Sequence, residues 1–271
     1  MKLTVRDLQL LINDKNKTAY NSMYDIIVGQ FESALHYIDV DNLNEERQKV
    51  LGTCGIYLSS IVELLHTLRD LMDKGYIESA GSIATACWER ILTLRKILID
   101  PIRNAQIHTD HALTKKAPWR VYDMVCDVLE NERRSKNITT KRPFEEKNFY
   151  MQYTVLSSIK HGNPYTISHL YRPDYSSDKK LFKLKSNDSL EDNDLKIYIK
   201  MLVIDNALDA LLDFSKEFRS NYSFLEDLRQ EFDRLIGYIE LQIPSIMLTN
   251  PEEMGQDYWD YLIELEKSRK F

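Results

Sequence analysis

Glycine and proline are scarce in this chain, at 8 and 7 of 271 residues. So few turn formers cannot punctuate the many short strands of an all-β domain or the glycine-rich turns of a dinucleotide fold, and long helices are what remains. There is no Gly-rich phosphate loop, no G-x-S-x-G elbow, no HExxH, no cysteine-rich metal pattern and no kinase signature. Each absence sets aside a class of enzyme that needs the motif for its chemistry. The three cysteines, Cys54, Cys87 and Cys126, show no C-x-x-C spacing. An odd set placed inside apolar helical stripes fits reduced core thiols and a cytoplasmic protein. No run of about 18 uncharged apolar residues is present, so no membrane span is expected. Met1 to Asp7 carries charge where a secretory leader would need an apolar run. The formal charge of −6 argues against a generally basic nucleic-acid coat and leaves only a local basic groove open.

What is present is helical periodicity. Hydrophobic residues make up 43% and charged residues 29%, the balance of a soluble globular protein able to bury a large core. The pattern predicts an all-α fold: one domain over residues 1–271, a multi-helix bundle of about seven to nine helices around a long antiparallel helical hairpin. A short amphipathic segment (1–16) ends in the polar run Asn13 to Lys17, and Tyr20, Tyr24, Ile27, Phe31 and Leu35 mark a helix over about 18–37. The first arm of the hairpin runs from about Leu43 to Lys74 on the stripe Val50, Cys54, Tyr57, Ile61, Leu64, Leu68 and Leu71, with Gly75 as its C′ residue. The second arm, about Tyr76 to Ile99, carries a seam of Ala80, Ala84, Cys87, Ile91, Leu94 and Leu98, whose small residues let two backbones approach closely.

Asp100-Pro101 signals a fresh helix start, with Asp as N-cap and Pro at the first position. Further helices are expected from Trp119 to Arg133 and from Phe144 to His161, with the polar, basic run Arg133 to Pro143 as an exposed loop between them. Asn163 to Asp194 loses the helical period. Within it, an irregular or short β-hairpin insertion at about 164–191 contains two alternating pieces, 166–171 and 180–185. Helices over about 192–218 and 223–241 follow, and an aromatic amphipathic segment at 258–265 is read as a cap on the bundle or a partner-binding helix. The C-terminal part, 221–271, is expected to pack on a core of about 45–215.

A buried charge needs a partner, so Glu63 or Glu89 is expected to pair with Arg90 or Arg95 across the hairpin. His108-x-x-His111 with Asp110 nearby has the spacing of two metal ligands on one helix face but lacks a clear third, so no cofactor is assigned. His36, His66 and His169 stand alone and read as structural.

With these motifs absent, metal-independent phosphodiester cleavage remains within reach of a helical scaffold. A histidine near neutrality moves the proton and a cation carries the crowded negative charge. The stretch Tyr150 to Pro164 places such residues together. Tyr153, Leu156 and Ile159 hold one helix face, Gly162 and Pro164 stop the helix, and Lys160, His161 and Asn163 are left at its open end. A helix-terminal histidine that favours the last carbonyls accounts for His161 equally well.

Leu156-Ser157-Ser158-Ile159-Lys160-His161-Gly162-Asn163, following a long helical hairpin, resembles an uncharacterised bacterial helical family. Its members share a Tyr-rich helix ending Leu-Ser-x-x-x-His-Gly, and some sit near mobile-element defence genes. That family is similar in turn to the HEPN superfamily of helical bundles, a resemblance covering roughly residues 45–215. It implies a phage-defence or toxin-system component that cleaves or binds RNA, works as a homodimer, and pairs with a partner protein or antitoxin. HEPN ribonucleases carry Arg, a polar residue, a short gap and then His, completed across a dimer. No Arg stands in that window before His161. Arg103-Asn104-Ala105-Gln106-Ile107-His108 meets the pattern, although residues five apart on a regular helix point about 140° apart. The candidate catalytic residues are therefore Arg103, Asn104, His108 and His161, with Lys160, Asn163, Arg133 and Arg134 as candidate contacts to RNA. The competing expectation is a non-catalytic sensor or adaptor module that binds a partner protein or small ligand.

Overall fold

The computed structural model describes residues 14–114, 117–140, 145–161, 174–176, 181–183, 190–219 and 221–240. The chain is all-α, with eight α-helices among the described residues. They are α1 (Asp14–Glu32), α2 (Glu45–Asp73), α3 (Ile77–Ile99), α4 (Pro101–His111), α5 (Val121–Ser135), α6 (Glu145–Lys160), α7 (Leu190–Phe218) and α8 (Ser223–Glu240). The first helix begins inside the polar run expected to precede it, and 3-10 turns at Ala34–Tyr37 and Val40–Asn42 follow it in place of a continuous helix. Two three-residue stretches, β1 (Asp174–Ser176) and β2 (Leu181–Lys183), pair antiparallel with Tyr175 opposite Phe182. The expected strand at 166–171, Asn163 and the aromatic segment at 258–265 lie outside the described residues.

Local chemistry sets the hairpin. The Asn44 side chain accepts the Arg47 amide at 2.9 Å and so caps α2, satisfying one of its orphan donors. At the other end Gly75 takes a positive φ of 78°. Tyr76 N–H reaches Leu71 O at 2.9 Å and Gly75 N–H reaches Met72 O at 3.1 Å, the paired bonds of a Schellman turn. The chain then enters α3 after a connection of three residues, Lys74 to Tyr76, so the two helices run back along each other. By length and mean hydropathy, 1.3, α2 is apolar enough to cross a membrane. Its Cys54, Ile61, Leu65 and Leu68 are buried in the shared core.

Helix α3 is the hub, in contact with α2, α4, α5, α6 and α7. Its small residues serve this. A Cβ added at Gly81 would stand 2.2 Å from Ile159 Cγ2 and 2.8 Å from Ile159 Cβ, so α6 approaches here as only glycine permits. Trp88 packs against Phe149 and Tyr153 of α6, each at 5.6 Å between ring centroids. Cys54 and Cys87 are buried and Cys126 is half-buried, all as free thiols. Burial pushes the Cys54 thiol up to about 12.

The ion pairs differ from the sequence expectation. Arg95, 3% exposed, points to α5 and α7 instead of across the hairpin. Its Nε donates to Asp213 Oδ2 at 3.0 Å, Asp209 lies at 3.5 Å, and Glu132 binds its other end. Burial works against its charge, but Asp213, Asp209 and Glu132 outweigh that and hold the guanidinium above its ordinary value. Glu63 is exposed, while the Glu89 carboxylate accepts the Tyr153 hydroxyl at 3.0 Å. The aspartates on α7 recur every fourth residue, so one stripe also meets α8. Arg229 binds Asp205 at 2.8 Å, Asp209 at 3.1 Å and Asp233 at 2.6 Å. Burial still pushes the Asp205 carboxyl up to about 6.

Two substitutions test this packing. Gly81→Ala should lower the unfolding free energy in urea by about 1–3 kcal/mol through overpacking against Ile159. Helix propensity alone would raise it by about 1 kcal/mol, so a gain in stability would refute the close approach. Arg95→Met should cost about 3–5 kcal/mol, because Glu132 and Asp213 lose their counter-charge and Asp209 keeps only Arg229. Urea melts of the two proteins at pH 7 would measure the deficit.

Candidate functional site

Helices α2, α3, α4 and the entry to α5 leave a cleft of about 340 Å³ between them. Tyr57 comes from α2, Glu89, Arg90 and Thr93 from α3, His108 from α4, and Trp119, Val121 and Met124 from the segment that opens α5. The cleft exists because α4 starts directly after α3, turned by Asp100-Pro101. The start is held by backbone and by a neighbouring side chain instead of by Asp100 as a cap. Asn104 N–H bonds Asp100 O at 2.8 Å, and the buried Asn104 amide donates to Lys96 O at 2.8 Å. That second bond satisfies a carbonyl near the end of α3.

Within the cleft the Tyr57 hydroxyl and His108 Nε2 lie 2.6 Å apart, their rings edge to face at 5.3 Å between centroids and 74°. The Arg90 guanidinium stands 6.0 Å from the Tyr57 ring centroid. Burial, then the charge of Arg90, then that of His111, hold the His108 imidazole below its ordinary value. Burial also pushes the Tyr57 hydroxyl upward against the pull of Arg90. Both shifts favour the uncharged form of each partner, beside a cation. Both neutral tautomers fit the bond. With Tyr57 as acceptor, His108 Nε2 carries the proton and Nδ1 keeps its lone pair for a substrate. Trp119 also lines the cleft, with Pro118, Val121 and Met124. Lys96 Nζ stands 5.7 Å from the Trp119 ring centroid while bound to Asp127 at 2.7 Å.

The residues read from sequence scatter around this cleft. His108 is in it. Arg103 is exposed and Asn104 is engaged at the end of α3, and neither lines the cleft. Lys160 and His161 are exposed at the end of α6, where His161 N–H bonds Ser157 O at 3.0 Å, and they line it no more than Arg103 does. Arg133 is largely withdrawn from solvent. It binds Glu130 at 2.8 Å, Glu145 at 2.9 Å and Glu146 at 3.5 Å, tying α5 to the start of α6, and Arg134 is exposed against Glu130. His111 bonds Ile107 O through Nδ1 at 2.9 Å. Among the described residues no group of three His, Cys, Asp or Glu side chains forms around it. His66 forms an ion pair with Glu32 at 2.7 Å between α1 and α2. Tyr57 and Arg90 are the site residues that sequence reasoning assigned to the core and to an ion pair.

No protein-family model, curated protein or solved structure matches this chain.

The electrostatic account carries a measurable sign. His108 should titrate below the ordinary histidine value of about 6.5. Arg90→Gln should raise it part of the way back, because burial remains. Histidine ring resonances followed by NMR between pH 4 and 9 would show this. The folded-state value is depressed, so the site contributes stability above pH 6.5 that is lost as pH falls below it. A His108 value above 6.5 would contradict the burial of the pair.

Proposed function

We propose that the Tyr57–Arg90–His108 cleft handles a phosphodiester, and that the protein is a HEPN-like helical bundle of bacterial defence or toxin type that binds or cleaves RNA. The observation that supports this reading is an imidazole hydrogen-bonded to a tyrosine beside a guanidinium in one cleft. His108 would take the proton of a ribose 2′-hydroxyl through Nδ1, in the tautomer whose Nε2–H donates to Tyr57. The 2′-oxygen then bonds to phosphorus, the bond to the 5′-oxygen breaks, and the leaving oxygen takes a proton from water. The products are a 2′,3′-cyclic phosphate and a 5′-hydroxyl. Arg90 would carry the extra charge on the phosphate oxygens in the transition state. This moves the cationic role from Arg103 to a residue of α3. In a homodimer Arg103, exposed on α4, would be offered to the partner.

A second reading rests on the same geometry. Arg103 and Asn104 do not join His108 within the chain, which favours a non-catalytic sensor or adaptor that holds a ligand or partner protein in the cleft.

The deciding experiment incubates purified protein with 5′-labelled RNA in the presence of a chelator. Cleavage to cyclic-phosphate ends that falls by about 10²–10⁴-fold in His108→Ala supports the enzyme. Arg90→Ala should fall comparably and also weaken RNA binding. Cleavage unchanged in both variants would sink the assignment. RNA binding that is lost in Arg90→Ala without any cleavage by the wild type would leave the adaptor.

A further inference from the structure

The cleft is lined by residues that the proposed phosphodiester chemistry does not use, Glu89 and Trp119 among them. We propose that these residues make it a base-reading pocket selective for guanine, with Trp119 as its stacking surface and Glu89 as the residue that sets the choice. The inference takes its phosphate end, Arg90 and His108, from the reading above and adds the identity of the nucleotide.

Trp119 and Met124 give the cleft an apolar wall next to polar groups on α3. A planar base gains from lying on an indole whatever its sequence, so the wall by itself attracts all four bases. Discrimination falls to Glu89. Glu89 lines the same cleft, and its carboxylate accepts the Tyr153 hydroxyl at 3.0 Å. Tyr153 in turn packs on Trp88 of α3. A carboxylate accepts at about four positions and donates at none, so one bond from Tyr153 leaves acceptors to spare. Guanine alone among the four RNA bases presents two adjacent donors, N1–H and the N2 amino group, on one edge. Adenine, cytosine and uracil each place an acceptor next to their donor, and that acceptor would face the carboxylate oxygens unpaired. Arg90 follows Glu89 in sequence and therefore points about 100° away around α3. This places the anion-binding group and the donor-binding group on separate walls of one cavity of about 340 Å³, a size within the range of small-ligand clefts.

The test titrates the four nucleoside 3′-monophosphates into wild type, Glu89→Gln and Trp119→Leu, read by calorimetry and by quenching of tryptophan fluorescence. Circular dichroism checks that each variant is folded. Wild type should bind the guanosine compound at least about tenfold more tightly than the other three, the scale of a good bidentate contact. Glu89→Gln keeps an acceptor for Tyr153 but presents a donor of its own, and should bring the four within about threefold of one another. Trp119→Leu should weaken all four by roughly tenfold while keeping their order. Equal binding of the four to wild type, a guanosine preference that survives Glu89→Gln, or no binding of any of them would overturn the proposal. RNA binding lost in Arg90→Ala without base preference defeats the guanine assignment alone. A guanosine preference with RNA binding unaffected by Arg90→Ala defeats the RNA reading alone.

Discussion

Arg95 is the constraint on which the architecture turns. It sits in the helix that contacts five others among the described residues, 3% exposed, and a lone guanidinium there would be untenable. Its three carboxylates come from two other helices, Glu132 on α5 and Asp209 and Asp213 on α7. Apolar packing lets helices slide and rotate at small cost, whereas a planar cation with three bound acids fixes where α5 and α7 stand relative to α3. Pairs of this kind contribute less to net stability than to the choice of one arrangement over its neighbours. The same aspartate stripe then carries Arg229, so α8 is set by the reference that sets α5.

The cleft is a consequence of that placement. Arg90 and Arg95 are five positions apart on α3 and thus about 140° apart around it. With Arg95 turned toward α5 and α7, Arg90 emerges on the side of α2 and α4. There Tyr57 leaves the core stripe of α2 only by its hydroxyl, and His108 arrives from α4 to meet it. One helix therefore supplies both the buried charge that fixes the frame and the exposed charge that faces the cavity.

Sequence periodicity made the helices legible because each depends on residues within a turn or two. Gly75 was recognisable as the end of α2, Pro101 as the first residue of α4, and the Cys54–Ile61–Leu68 stripe as core. The site was only partly legible. His108 lines the cleft, but the local pattern offered Arg103 as its cation, and the 140° separation already spoke against their meeting. The cation that does approach His108 lies on another helix, and no spacing rule joins Tyr57, Arg90 and His108. Pairing Arg95 with Glu63 or Glu89 failed for the same reason. Proximity along a hairpin suggested those partners, while the acids that bind Arg95 come from helices formed much later in the chain. Arg133, the first arginine of the basic run, binds three glutamates that no spacing within the run announces.

The meeting of Gly81 and Ile159 has a consequence for how this chain is free to drift. With 2.2 Å between the missing Cβ and Ile159 Cγ2, the two positions share one volume, and atoms gained at one must be given up at the other. Residues 81 and 159 stand 78 positions apart on two different helices, yet they form a single inheritable unit. Any descendant that places alanine at 81 while retaining this approach of α6 must carry a smaller side chain at 159.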